Sequence, residues 1–237
     1  MRLLVTFSFF FQILVAVAEE PSGHLFILSG QSNMTGDVKK GFASTVEAMI
    51  GKKPDLVFHS KPGRGIRFWV KEYQLPKDHP MADLSKNKSN GEEFPKLVEL
   101  VKKSYDPTKF KTVHLIWMQG ESDANRDLGV AYEASFKTLL ENLEKELGIK
   151  KLHFVIGRLS DFGLHGDAKT KVAWTRMRKA QEKLATDNPQ GKWIDTDQFI
   201  PAEEKTKKGN LHYPKEEAVK LGARFGQAVL IQIAEGS

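Results

Sequence analysis

Short apolar runs alternate along this chain with stretches in which apolar residues recur every three or four positions. The runs are rich in Val, Ile, Leu, Phe and Trp, and they are mostly continuous. Continuous short runs of this kind are typical of strands that are covered on both faces of a parallel sheet. They predict strands at residues 24–28, 56–59, 112–118, 152–156 and 192–195.

The stretches between these runs have the periodicity of amphipathic helices. The apolar positions that we expect them to bury are Phe94, Leu97, Leu100 and Val101; Tyr132, Phe136, Leu139, Leu140 and Leu143; Val172, Met177, Ala180 and Leu184; and Ala218, Leu221, Phe225 and Val229. Pro214 is predicted to start the last helix, since the first turn does not need its N–H. Strands that alternate with helices at this spacing predict an α/β protein: a three-layer α/β/α sandwich with a mainly parallel sheet in one domain.

The N-terminal residues 1–18 have the parts of a secretory signal peptide. Arg2 precedes an apolar stretch, and the small residues Ala16-Val17-Ala18 close it in a cleavage pattern. The stretch is too short to cross a bilayer comfortably. We therefore expect cleavage after Ala18, secretion or delivery to the periplasm, and a single domain over residues 19–237. A retained N-terminal anchor is the minority interpretation.

Composition excludes several other classes. The formal net charge is +6, but the basic residues occur as scattered pairs that are not interleaved with aromatic residues, so they indicate a solvated surface and not a nucleic-acid platform. The chain has no cysteine, and therefore no disulfide or thiolate metal site. Residues 63–65 (Gly-Arg-Gly) lack the Gly-Lys-Ser/Thr ending of a phosphate loop, and residues 195–197 (Asp-Thr-Asp) have no histidine cluster beside them. We expect no cofactor and no metal, and the oligomeric state stays open.

Four segments with candidate chemistry lie at predicted junctions between strands and helices. Residues 30–34 (Gly-Gln-Ser-Asn-Met) follow the first strand, Gly91 precedes a helix, residues 117–124 end the third strand, and His212 precedes the last helix. The carboxyl ends of parallel strands meet at one edge of a sheet, where such folds bind ligands. A serine hydroxyl is a weak nucleophile without an adjacent base, so Ser32 and His212 are the candidate nucleophile and base.

The motifs Gly-Gln-Ser-Asn-Met, Trp-x-Gln-Gly-Glu-x-Asp-Ala and Leu-His-Tyr, in this order, resemble the SGNH-hydrolase superfamily, and within it the sialate O-acetylesterase-like and acetylxylan-esterase-like carbohydrate esterases. The resemblance runs from residue 24 to about residue 230. It implies a flavodoxin-like SGNH fold and a serine esterase that removes O-acetyl groups from a carbohydrate of sialate or xylan type. In such an enzyme Ser32 would attack the ester carbonyl and His212 would take its proton. The resemblance also implies an oxyanion hole made of the backbone N–H groups of Ser32 and Gly91 and the side-chain amide of Gln119.

One position departs from the family pattern. Many relatives have an aspartate three residues before the catalytic histidine, where this chain has Gly209. His212 could then work in a Ser–His dyad oriented by a backbone carbonyl, another carboxylate could replace the aspartate, or activity could be weak or lost. The carboxylates considered are Glu121, Asp123, Asp195 and Asp197. Retained activity is favoured because Ser32, His212 and both oxyanion motifs are present.

Two other functions remain open at this stage. The glycine at the usual aspartate position is compatible with a carbohydrate-binding protein on an esterase scaffold that has lost turnover. A general carboxylesterase is the other alternative, although no extended apolar lid segment is visible. Phe68, Trp69 and Tyr73 could stack on a sugar or simply cover the core, and Arg158 could hold substrate or form a surface ion pair. The expected partner is an acetylated carbohydrate, with no nucleic acid.

Overall fold

A five-stranded parallel sheet forms the centre of the protein in a computed structural model, which describes residues 21–200 and 211–236. The strands are β1 (Gly23–Gly30), β2 (Asp55–Ser60), β3 (Phe110–Met118), β4 (Leu152–Gly157) and β5 (Gly191–Ile194). Their order across the sheet is β2-β1-β3-β4-β5, and all neighbouring strands are parallel. The five predicted strands and the parallel sheet are confirmed.

Helices cover both faces of this sheet. They are α1 (Gly36–Ile50), α2 (Phe94–Ser104), α3 (Glu121–Ala124), α4 (Tyr132–Leu147), α5 (Ala168–Thr186) and α6 (Lys215–Ala234). Short 3₁₀ turns lie at Ile66–Trp69, Ala82–Lys86, Gly129–Ala131, Asp161–His165 and Asp197–Phe199. Helices α1 and α6 pack against each other, while α4 contacts both α2 and α5. The three-layer α/β/α sandwich is confirmed.

Most of the predicted helix faces are buried, with two corrections. Leu100 is 38% exposed and Val172 is 59% exposed, so neither belongs to the core. Val172 and Met177 are five residues apart, which turns a helix by about 140° and puts them on different faces. Helix α5 therefore buries Trp174 beside Met177 instead. The last helix begins at Lys215, so Pro214 is its N-cap and not its first residue.

The aromatic residues of the long loop after β2 belong to the core. Trp69 is fully buried and meets Trp117 edge to face, with ring centroids 5.2 Å apart. Phe68 is 4% exposed and Tyr73 is 1% exposed. The interpretation that these rings cover the core is confirmed, and none of them offers a free face for a sugar.

The helices that follow the two candidate catalytic segments are held close together. A Cβ on Gly41 of α1 would lie 1.9 Å from the carbonyl oxygen of Val219 on α6, and a Cβ on Gly222 would lie 2.0 Å from that of Val38. Only glycine permits this approach of two backbones. Because α1 follows the Ser32 turn and α6 follows His212, this contact fixes the two segments relative to each other.

The strand order also defines where a ligand would bind. From β1 the chain moves to β2 at one edge, and then crosses back to β3 on the other side of β1. The crevice at such a switch in direction, at the carboxyl ends of the strands, is the usual ligand site of doubly wound sheets. Within the described ranges, no helix is long and apolar enough to cross a membrane. The predicted signal peptide and Gly209 lie outside the described residues.

Candidate active site

The Ser32 turn is fastened to the end of β3. Strand β1 ends at Gly30, whose φ of +147° and lack of a Cβ allow the chain to pass directly over β3. A Cβ at this position would lie 2.0 Å from the carbonyl oxygen of Met118. The next N–H, that of Gln31, donates to the same oxygen over 2.9 Å. A side chain at position 30 would therefore displace the turn that carries Ser32.

The structure brings Ser32 and His212 together from opposite ends of the chain. Ser32 Oγ and His212 Nε2 are joined by a hydrogen bond of 3.0 Å. Ser32 is partly buried, whereas His212 is exposed. This is the separation at which an imidazole can take a proton from a serine hydroxyl.

Both side chains line an open depression of about 380 Å³ at the carboxyl edge of the sheet. Other residues that line it are Gly63, Glu121, Ser122 and Arg126. The carboxyl group of Glu121 is almost completely buried, while Arg126 is exposed. Arg126 therefore gives the accessible wall of the depression a positive charge.

Gly91 is not brought to this site, which corrects the prediction that its N–H serves the oxyanion. That N–H donates to the carbonyl oxygen of Arg67 over 2.9 Å. Gly91 lines a different depression, together with Lys71 and Phe94. Its N–H is already used to hold two parts of the loop before α2 together.

The Gln119 side chain also has a different task from the one predicted. It is fully buried, and its Nε2 donates to Asp123 Oδ2 over 2.5 Å. The same nitrogen lies 3.2 Å from Gln31 Oε1 and 3.2 Å from the carbonyl oxygen of Arg64. These acceptors occupy the amide hydrogens, so Gln119 ties the loops beneath the depression together and does not point a donor into it.

Gly63 is the residue that sequence reasoning missed. It lines the depression beside Ser32, and its N–H makes no hydrogen bond to another described residue. Ser122 Oγ donates to its carbonyl oxygen over 3.1 Å. Residues 63–65 lack the ending of a phosphate loop, but Gly63 is the first glycine after β2. Its place at the carboxyl end of a strand was the signal that could have found it.

Two of the four carboxylates considered as partners for His212 are bound elsewhere. Arg158 Nη2 lies 2.8 Å from Asp195 Oδ1 and 3.1 Å from Asp197 Oδ2, and Arg178 Nη1 lies 2.6 Å from Asp197 Oδ1. Arg158 thus belongs to a cluster of ion pairs at the end of β4. This position supports the ion-pair interpretation of Arg158 over a role in holding substrate.

Glu121 and Asp123 are buried beneath the depression. Asp123 Oδ2 accepts from the N–H of Ile66 over 2.9 Å, and Glu121 Oε1 accepts from Asn33 Nδ2 over 2.6 Å. Neither forms a hydrogen bond or ion pair with His212. Burial raises the pKa of Glu121 to about 7, and burial likewise raises the pKa of Asp123 to about 6. Both carboxyl groups therefore titrate closer to neutral pH than exposed carboxyl groups do, because burial disfavours the charged form.

Replacing Glu121 with glutamine is expected to change how stability depends on pH. Because folding raises the pKa of Glu121, this carboxyl group contributes to the free energy of unfolding. The contribution is fully present below the unfolded pKa of 4.5 and is lost as pH rises through about 7. Glutamine stays neutral, so the free energy of unfolding of E121Q should exceed that of the wild type by a margin that grows over this interval to about 3 kcal/mol.

Urea unfolding of both proteins between pH 4 and pH 8 would measure this margin. Asp123 titrates in both proteins, so only the change in its interaction with residue 121 enters the comparison. Parallel stability profiles for the wild type and E121Q would contradict a raised pKa at Glu121.

The parallel sheet, with the Ser32 turn after its first strand and His212 before its last helix, is the arrangement of a hydrolase of the SGNH type. The family model described as carbohydrate esterase, sialic acid-specific acetylesterase matches residues 41–231. This chain belongs to that family, and it is a carboxylic ester hydrolase. The matched region contains His212 but begins after Ser32. The role assigned to Ser32 therefore rests on its hydrogen bond to His212 and not on the family match.

Solved structures with this fold include known esterases. A carbohydrate acetylesterase from Xanthomonas citri is 18% identical with a TM-score of 0.63, over 86% of this chain and 55% of that one. An acetylxylan esterase from Geobacillus stearothermophilus, solved as a catalytic mutant, is 14% identical with a TM-score of 0.54, over 92% and 97%. A lipolytic G-D-S-L family member from Veillonella parvula is 16% identical with a TM-score of 0.51, over 88% and 99%. At these identities the likeness establishes the fold alone. No curated protein matches the chain significantly.

Proposed function

We propose that this protein is an exported serine esterase that removes O-acetyl groups from carbohydrates. Ser32 is the nucleophile and His212 is the general base. The observation that carries the proposal is the 3.0 Å hydrogen bond between Ser32 Oγ and His212 Nε2 at the edge of an SGNH-type sheet. The match to a carbohydrate acetylesterase family supports the acetyl ester as the bond that is cleaved.

The reaction follows from the placement of these two side chains. As Ser32 Oγ bonds to the acetyl carbonyl carbon, its proton moves to His212 Nε2, and the carbonyl oxygen becomes an oxyanion. The intermediate collapses, the bond from carbon to the sugar oxygen breaks, and His212 returns the proton to that oxygen. Water then attacks the acetyl carbon of the acetyl-enzyme while His212 takes its proton. The bond from this carbon to Ser32 Oγ breaks, acetate leaves, and His212 returns the proton to Ser32 Oγ.

The oxyanion needs donors that are already in place before the reaction. We retain the backbone N–H of Ser32, which makes no hydrogen bond to another described residue. In place of Gly91 we propose the N–H of Gly63, which lines the same depression. Gln119 supports this arrangement indirectly, because it binds Gln31 beside the nucleophile and the carbonyl of Arg64 beside Gly63.

We further propose that Ser32 and His212 work as a dyad. No carboxylate of the described residues is hydrogen-bonded to His212, and position 209 is a glycine. A backbone carbonyl would then fix the tautomer in which Nε2 accepts the serine proton. Residues 1–18 act as a cleaved leader in this proposal, and residues 19–237 form the esterase domain.

Arg126 favours an acetylated sugar that carries a carboxylate, as sialate does, over a neutral xylan. A guanidinium that pairs with a carboxylate contributes about 1.5–3 kcal/mol, or about 10–100-fold in affinity. We therefore expect Arg126→Ala to raise KM for O-acetylated sialic acid about 10-fold and to leave KM for acetylated xylobiose within about 2-fold of the wild type.

Acetate release from the two acetylated sugars, compared with fatty-acid release from a long-chain ester, tests the proposed function and the role of Arg126 together. Arg224→Ala is the matched control, since Arg224 lies on α6 and lines another depression. Faster hydrolysis of the long-chain ester would favour a general carboxylesterase. Equal changes of KM for both sugars in Arg126→Ala would contradict the proposal that the substrate carries a carboxylate.

A further inference from the structure

Asn33 follows the nucleophile in the chain, but its side chain reaches the segment that carries the base. It is 2% exposed. Its Nδ2 donates to the carbonyl oxygen of Leu211 over 3.1 Å, and its Oδ1 accepts from the N–H of Tyr213 over 3.3 Å. These peptide groups belong to the residues on either side of His212. One side-chain amide therefore holds the backbone at both ends of the histidine.

The orientation of this amide is set by a third junction of the sheet. Asn33 Nδ2 also donates to Glu121 Oε1 over 2.6 Å. Glu121 is buried at the start of α3, directly after β3. Because the carboxyl oxygen accepts, the amide nitrogen must face Glu121 and Leu211, which leaves Oδ1 to face the N–H of Tyr213.

Besides Ser32, no described residue forms a hydrogen bond with the His212 ring. It is exposed, so it is not held by packing. Tyr213 is buried, and its hydroxyl and the Thr196 hydroxyl form a hydrogen bond of 3.0 Å. That bond holds the chain on one side of His212, whereas Asn33 is the one side chain of residues 21–200 and 211–236 that holds it on both sides. A displacement of about 1 Å between reacting groups can cost about 10²-fold in rate.

We propose that Asn33 is a positioning residue, clamped by Glu121, that keeps His212 Nε2 within hydrogen-bond distance of Ser32 Oγ. This inference rests on the proposed function, because it concerns the same Ser32–His212 pair. It explains how a base can be held in place when no carboxylate of the described residues contacts its ring. In a catalytic triad a carboxylate orients the histidine by a hydrogen bond to its ring. Here Asn33 orients His212 by hydrogen bonds to the backbone on either side of it.

Asn90 provides a matched control for a purely structural role. It is also buried, accepts from Arg67 Nη1 over 2.9 Å, and donates to the carbonyl oxygen of Leu84 over 2.7 Å. It therefore links segments of the loop before α2 by the same kinds of bond as Asn33, but it does not line the depression. Asn90→Ala is expected to lower stability and to leave kcat unchanged.

We expect Asn33→Ala to lower kcat by about 10²-fold and to leave KM within about 3-fold of the wild type. Asn33→Asp can still accept from Tyr213, but it cannot donate to Leu211 or Glu121, so it should lose activity as well. Glu121→Ala should lower kcat for the same reason. Glu121→Gln keeps an acceptor for Asn33 and should restore most of that loss.

Kinetics of these variants, measured where circular dichroism shows them folded, test the clamp. Hydrogen exchange at the Tyr213 amide gives a readout that does not need turnover, and exchange should accelerate in Asn33→Ala but not in Asn90→Ala. Ester hydrolysis by the wild type that Ser32→Ala does not reduce would overturn the proposed function. Hydrolysis that depends on Ser32 but stays within 3-fold of the wild type in Asn33→Ala would overturn the clamp alone, as would unchanged Tyr213 exchange.

Discussion

Replacing Ser32 with alanine is expected to lower kcat for acetyl-ester hydrolysis by about 10⁴-fold or more. The variant lacks the oxygen that forms the acetyl-enzyme, and what remains is direct attack by water with help from the oxyanion donors. Ser32 is partly exposed and its hydroxyl bonds only to His212 among the described residues, so the fold should be unaffected. Single-turnover acetate release, with circular dichroism on the same sample, measures both effects.

Ser122 is the control that makes this test specific. It lines the same depression, and its Oγ donates to the carbonyl oxygen of Gly63 instead of to a base. Ser122→Ala should therefore lose about 10-fold at most, through a less well held Gly63. If Ser122→Ala were inactive and Ser32→Ala active, the nucleophile would have been assigned to the wrong serine.

Replacing His212 with glutamine is expected to lower kcat by about 10⁴-fold, with a small change of KM. Glutamine can hydrogen-bond to Ser32 but cannot accept its proton near neutral pH, so attack on the ester loses its base. Steady-state kinetics on an acetylated chromogenic ester measure this loss.

His165 is the matched control for this variant. It is a partly exposed histidine whose Nε2 lies 3.6 Å from Asp161 Oδ2, in the turn after β4, and it does not line the depression. His165→Gln should retain full activity. A His212→Gln variant that kept more than a tenth of wild-type kcat would exclude His212 as the base.

The fold was predictable because its signals are local. Each strand is a continuous apolar run, and a parallel sheet that is covered on both faces requires such runs. Leu100 and Val172 were wrongly predicted to be buried because each is apolar and lies close to the spacing of three to four residues that marks the buried face of a helix. Val172 lies one position before the buried Ala173 and two before the buried Trp174, and sequence spacing alone did not resolve which of these positions faces the core.

The candidate site was predictable only in part, for a different physical reason. Ser32 follows β1 and His212 lies directly before α6, and a parallel sheet gathers its strand-to-helix connections at one edge. The structure does not support the predicted oxyanion roles of Gly91 and Gln119, because an oxyanion donor must be free, and whether an N–H is free depends on contacts made after folding. Gly91 donates to Arg67, and Gln119 is surrounded by three acceptors. Gly63 was not predicted because residues 63–65 match no known binding pattern, and only the position of Gly63 after β2 indicates a role at the sheet edge.

Covalent labelling of the nucleophile tests the central claim most directly. The wild-type protein would be treated with an organophosphate that mimics the ester, digested, and mapped by mass spectrometry. We expect one label, on Ser32, that appears as esterase activity disappears. It should be absent from Ser32→Ala and should form much more slowly in His212→Gln. A label on Ser122 or on any other residue, or full inactivation without a label on Ser32, would contradict this claim.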